Sequence, residues 1–112
     1  MKITELEGFD PTIDLNEKGD WIEFTFHEIE QVITDKGEFP LMRMEDIVGS
    51  DLQYKTAAMW VSRAKLRVFS SGLVVKGDRY RVECLGRFKA DGSPGTQFTP
   101  YQYKIERLAS SG

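Results

Sequence analysis

Hydrophobic and polar side chains alternate from Trp21 onward, with Ile22, Phe24 and Phe26 at every second position and Glu23 and Thr25 between them. A period of two is the mark of a strand with one face toward a core. The parity slips after Phe26, because Ile29 falls on odd positions and Val32 and Ile33 straddle both. A one-residue slip turns side chains to the other face. The pattern therefore predicts a first strand over 21–33 with a β-bulge near 27–30. Thr34-Asp35-Lys36-Gly37-Glu38 is a turn signal, and a second strand over 39–47 follows, with Pro40 near its start. After the turn at 48–51, residues 52–61 read as a third strand. Its inner face is ambiguous: one parity carries Tyr54, Thr56, Ala58 and Trp60, the other Lys55, Ala57, Met59 and Val61.

Ser62 is placed to cap a short helix over 63–70, with Leu66, Phe69 and Leu73 on its buried side and Gly72 ending it. Lys76-Gly77-Asp78 turns into a fourth strand, 79–89, where Tyr80, Val82 and Cys84 oppose Arg79, Arg81 and Glu83 until Gly86 interrupts. A long Gly/Pro loop, 90–100, precedes a fifth strand, 101–108. Residues 1–20 read as an irregular acidic lead-in that packs Ile3, Leu6 or Phe9 on the rest, and 109–112 as a disordered tail. Three strands, one helix and two strands is the layout of an OB-fold. The predicted class is thus all-β: a five-stranded, partly open Greek-key barrel over 21–108, with one short helix between strands 3 and 4.

A chain of 112 residues with 40% hydrophobic and 29% charged positions fits one self-sufficient domain. One cysteine and one histidine exclude an internal disulfide and a Cys/His zinc site. No cofactor or metal is expected, and enzyme motifs are absent: no phosphate-binding glycine loop, no GxSxG, no HExxH. No leader-like or membrane-spanning apolar run is visible, which points to the cytoplasm and away from a membrane. His27 reads as an ordinary strand residue and Cys84 as a buried filler.

Net charge is −3, yet the average conceals a gradient. Residues 1–52 hold 4 Lys+Arg against 14 Asp+Glu, and residues 53–112 hold 11 against 4. The basic half is also aromatic. Cations that track phosphates, with flat side chains that stack on bases, are what single-stranded nucleic acid requires. The candidates for phosphate contact are Lys55, Arg79, Arg81, Arg87, Lys89 and Lys104. The candidates for stacking are Tyr54, Trp60, Phe98 and Tyr101. Each has a plainer alternative. Trp60 sits beside Met59 and Val61 and fits a core, one of Tyr101 and Tyr103 packs inward, and Arg79 and Arg81 can pair with Glu23, Glu28 or Glu30. Phe98, in a Gly/Pro/Thr loop, has the least core to join.

The stretch from Trp60 to Phe88, WVSRAKLRVFSSGLVVKGDRYRVECLGRF, resembles single-stranded DNA-binding proteins, above all short phage-encoded ones. The resemblance lies in a strand running into a helix, the apolar Leu73-Val74-Val75, the Lys76-Gly77-Asp78 turn, the alternation Tyr80, Val82, Cys84, and Gly86; Tyr101 to Ile105 looks like the closing strand. It implies a non-catalytic OB-fold protein of replication or recombination. Such a protein would bind single-stranded DNA, with RNA still open, form homo-oligomers and meet replication or recombination proteins. Where the cellular members carry an acidic tail, this sequence reads Arg107-Leu108-Ala109-Ser110-Ser111-Gly112, so partner recruitment by that route is not expected. The acid stands at the front, in Glu5, Glu7, Asp10, Asp14, Glu17 and Asp20, where it can fold over the basic face. The competing expectation is an OB-fold protein-interaction module that does not bind nucleic acid.

Overall fold

The computed structural model describes residues 1–110. Seven strands and one helix succeed one another: β1 Lys2–Thr4, β2 Thr12–Asp14, β3 Trp21–Thr34, β4 Gly37–Gly49, β5 Leu52–Trp60, a 3₁₀ helix Ala64–Ser70, β6 Arg79–Arg87 and β7 Tyr101–Ala109. They form one sheet in the order β1-β2-β5-β4-β3-β6-β7. All neighbours are antiparallel except β2 and β5, which meet in parallel at Thr12 and Ala58.

The all-β class stands, but the five-stranded barrel does not. The described sheet is open: β7 pairs with β6 alone, and β5 and β7 share no ladder. The reason lies in the first twenty residues. Thr12–Asp14 takes the free edge of β5, so that edge is not available to the last strand. Ile13 and Leu15 are 1% exposed and belong to the core, while Leu6 and Phe9 are exposed and Ile3 is only partly buried. The segment read as irregular therefore contributes two strands and two core side chains. At the other end Ala109 closes β7, Ser110 carries no regular structure, and Ser111 and Gly112 lie outside the described residues.

Alternation in β3 and β6 does what the pattern requires. Ile22, Phe24 and Phe26 of β3 and Tyr80, Val82 and Cys84 of β6 are buried side by side on the inner face of the sheet, with Ile22 paired to Val82 and Phe24 to Tyr80. The β3–β4 register shifts at Glu23/Thr25 and again at Phe26/Glu28, the second beside His27. Beyond it, residues 31–34 of β3 and 37–40 of β4 form a two-stranded ribbon, tied to the rest of the sheet at Pro40, whose carbonyl accepts from Val61 N at 3.2 Å. Gly49 is required where β4 turns to β5, because a Cβ there would lie 2.6 Å from the Trp21 carbonyl oxygen.

In β5 the inner parity is Ala57, Met59 and Val61. That settles Trp60, 38% exposed, as an outward residue. The helix begins one residue later than expected: Arg63, not Ser62, precedes its first turn, and no side chain caps it. Leu66 and Phe69 bury its inner side. Phe69 packs edge-on to Tyr80 with centroids 5.3 Å apart, and lies 5.7 Å from Phe24. Leu73, expected in the core, is exposed, because the helix stops at Ser70 and the chain turns away through Gly72 at φ 84°. Fully burying one such side chain is worth roughly 1.5–3 kcal/mol.

Candidate nucleic-acid interface

The ten candidate residues separate into three places. Arg81 and Lys104 lie on the outer face of the β3–β6–β7 region. Arg81 contacts Glu23 at 3.1 Å and Glu83 at 3.6 Å, and its guanidinium stands 4.2 Å from the Trp21 ring centroid. Lys104 meets Glu106 at 3.0 Å. These cations are already matched by carboxylates, one of them the partner the plainer alternative named.

Tyr54, Lys55 and Arg79 share an open cavity of about 430 Å³ with Asp46 and Gln53. Arg79 Nη1 donates to Thr25 Oγ1 at 3.2 Å and to the Asp46 carbonyl at 3.0 Å. The Tyr54 hydroxyl donates to Glu5 Oε1 at 3.0 Å, and that hydrogen bond holds its pKa above the usual tyrosine value.

Trp60, Arg87, Lys89, Phe98 and Tyr101 make up the third place, with four residues that sequence reasoning missed: Lys2, Lys18, Arg63 and Phe88. Arg63 lies 4.7 Å and Arg87 4.1 Å from the Tyr101 ring centroid, so one phenol ring holds two guanidiniums. Arg63 also donates to the Tyr103 hydroxyl at 2.5 Å, which in turn donates to the Leu15 carbonyl at 3.1 Å. Burial pushes the Tyr103 phenol up, against the pull of Arg63, so it stays protonated as a donor. Asp14 meets Arg63 at 3.1 Å. Arg87 Nη1 donates to the Gln97 carbonyl at 2.9 Å, and Gly95 N donates to the Arg87 carbonyl at 2.9 Å. The 90–100 loop thus folds back on the end of β6 and leaves Phe98 85% exposed.

Two cavities meet at the Tyr101 ring through Arg63 and Arg87. On one side of the Arg63–Tyr101–Arg87 stack, Trp60 and Arg63 line an open cavity of about 310 Å³ with Lys2, Thr4, Thr12 and Asp14. On the other side, Arg87 lines a cavity of about 400 Å³ with Lys18, Phe88 and Pro94. Lys18 packs over Gly86, whose φ of 95° and lack of a side chain admit it. Among the described residues neither Arg87 nor Lys89 has a carboxylate at ion-pair distance, unlike Arg81 and Lys104. The ring and its two cavities therefore gather Lys2, Arg63, Arg87 and Lys18 against Asp14, while Lys89 lines neither cavity. The accessible rings of this track are Trp60, Phe88 and Phe98. Tyr101 touches two guanidiniums, which makes it a support for cations more than a platform for a base.

The chain matches no family model, no curated protein and no solved structure. Chemistry alone therefore has to speak for the site. Arg63 was legible only as the first residue of a helix, and Lys18 only as part of the lead-in. Nothing in their sequence neighbourhoods signals that they meet Tyr101 and Gly86.

The remaining surface differs. On the outer side of β3 and β4, Arg43 donates to Glu30 at 2.7 and 3.0 Å and lies 3.5 Å from Asp10. His27 Nδ1 lies 2.8 Å from Glu45. No group of three or more His, Cys, Asp or Glu among the described residues is placed to hold a metal ion, and no described helix is long and apolar enough to cross a membrane.

Proposed function

We propose that this chain binds single-stranded nucleic acid, DNA in the first instance, without catalysis, along the track from Trp60 through Arg63, Tyr101 and Arg87 to Phe98. The observation that carries the reading is the pair of guanidiniums held on the Tyr101 ring between two open cavities, with exposed aromatic rings beyond. Phosphates need cations whose charge is not already spent on carboxylates, and bases need exposed flat rings. The β3–β6–β7 face offers the first residue type but not the free charge.

Five long strands with a helix between the third and fourth agree with an OB-type ancestry, in which the first twenty residues take up the edge that would close the barrel. The resemblance to single-stranded DNA-binding proteins of phage type supplies the context of replication or recombination in a host cytoplasm. Assembly into oligomers belongs to the same proposal.

The test is anisotropy of a labelled ~30-nucleotide poly-dT and its duplex counterpart, a length that spans several footprints of ~4–16 nucleotides. Four track cations give a slope of log K on log salt near −3, so affinity falls about 50-fold between roughly 50 and 200 mM salt. Binding of the single strand with that slope, and weak binding of the duplex, supports the reading. No binding at the lower salt sinks it. A protein-interaction module would then be favoured by the exposed apolar side chains of Val68, Leu73 and Val75, which follow one another through the helix end and the loop before β6.

A further inference from the structure

Residues 5–14 carry four carboxylates, and three of them end on hydrogen-bond donors of other elements. Glu5 accepts from the Tyr54 hydroxyl at 3.0 Å. Asp10 accepts from Thr56 Oγ1 at 2.9 Å and lies 3.5 Å from Arg43. Asp14 lies 3.1 Å from Arg63, a central cation of the track. Tyr54, Thr56 and Trp60 belong to one outward row of β5, and the segment runs along the free edge of that strand. A phosphodiester backbone is likewise a row of acceptor oxygens carrying negative charge. It would seek the same donors.

We infer that this segment is an acidic strap that competes with the nucleic-acid backbone for Arg63, Tyr54 and Thr56, and so sets the affinity of the track. The inference rests on the nucleic-acid reading above. Arg43 is not part of the competition, since Glu30, which lies outside the strap, holds it with two hydrogen bonds.

The strap is fastened unequally. Its outer part, residues 5–11, buries little: Leu6 and Phe9 are exposed, and one backbone hydrogen bond, Ala58 N to the Pro11 carbonyl at 2.9 Å, ties it to β5. The rest of its hold is exposed ion pairs and side-chain hydrogen bonds of a kind that is weak and screened by salt. The inner part is anchored by Ile13 and Leu15 in the core. A strand of nucleic acid can therefore displace the carboxylates while the domain stays folded. For the same reason removal of residues 1–20 would strip the core and is the wrong test.

The experiment compares the full chain with the triple variant E5Q/D10N/D14N and with a charge-matched control, E28Q/D35N/E38Q, on labelled poly-dT at two salt concentrations. Thermal melting verifies that each is folded. If the triple variant melts early, E5Q/D10N alone replaces it. The strap variant is expected to bind 3- to 10-fold tighter than the unaltered chain, with a steeper salt slope, because more phosphates then find unpaired donors. The control is expected to gain less than 2-fold. Binding by the strap variant alone, with none by the unaltered chain, also supports the strap. Equal gains in both variants would mean bulk charge and overturn it. An unaltered chain that binds and a strap variant that binds no better overturns the strap while sparing the track. No binding by any of the three overturns both.

Discussion

Two surfaces of this sheet carry the same kinds of residue and differ in what faces them. On the β3–β6–β7 face, Arg81 and Lys104 stand among Glu23, Glu83 and Glu106 at 3.0–3.6 Å, and Trp21 lies under Arg81. On the track, Arg63 and Arg87 lie against Tyr101; Asp14 meets Arg63, and among the described residues Arg87 has no carboxylate at ion-pair distance. Both places have arginine on an aromatic ring. Cross-strand register decides which arginine is neutralised: Glu23 is directly opposite Arg81, whereas Tyr101 is directly opposite Arg87. A cation's availability to a ligand is thus a property of the residue across the ladder from it.

The comparison breaks hardest at Phe98. Phe98→Ala is expected to weaken poly-dT binding by about 1–3 kcal/mol, the value of one stacked base, without changing the melting temperature, since the ring is exposed. A loss under ~0.5 kcal/mol in the same titration would take Phe98 out of the site on that scale. Next comes the pair Arg87→Ala and Arg81→Ala. The first is expected to reduce the salt slope by about 0.7 and to lower affinity at every salt, and the second to leave both nearly unchanged. Equal slopes in the two variants would erase the distinction between the surfaces.

On the matched face itself, a double-mutant cycle of Arg81→Ala with Glu23→Ala is expected to give a coupling of about 0.2–1 kcal/mol in denaturant unfolding, the range of half-exposed ion pairs. The smallest effect is in pH. Burial raises the ionisation of Cys84 and Tyr103 above their ordinary values in the fold. The unfolded chain releases those protons first, so folded stability is complete below the ordinary thiol value of 9.0 and declines as pH climbs past it. Melting temperature against pH tests this, and Cys84→Ala should flatten the thiol's part of the decline. A stability that rises through that window would contradict the burial of both groups.

The strands were readable because a half-buried strand writes its faces into the sequence. Ile22, Phe24 and Phe26, and Tyr80, Val82 and Cys84, stand at period two, and the slip after Phe26 marked the second bulge. The third strand was not readable in this way: Ala57, Ala58 and Met59 are all buried, since Pro11 and Thr12 cover the outward Ala58. The lead-in was misread for a related reason. Three-residue strands are too short to show a period, and Ile13 and Leu15 are two apolar residues in an acidic stretch. Of the candidate site, the residue types were visible in the basic half of the chain. The difference between Arg81, matched by Glu23, and Arg87, set against Tyr101, was not, because the residue across the ladder decides it.

By itself the sequence determined the all-β class, five long strands with a helix after the third, the bulge, the buried cysteine and the concentration of cations and aromatics after residue 52. All of these follow from local periodicity, turn chemistry or composition, which need no knowledge of what lies across the sheet. Only the tertiary structure decided that Thr12–Asp14 takes the edge of β5 and leaves the sheet open. It alone brought Arg63 and Arg87 onto one ring, and set the acid of residues 5–14 against Tyr54, Thr56 and Arg63. Apart from Arg87 on Tyr101, those outcomes depend on pairings between residues roughly 40 to 50 positions apart, and local pattern carries no information about which distant partner a donor or an edge will meet.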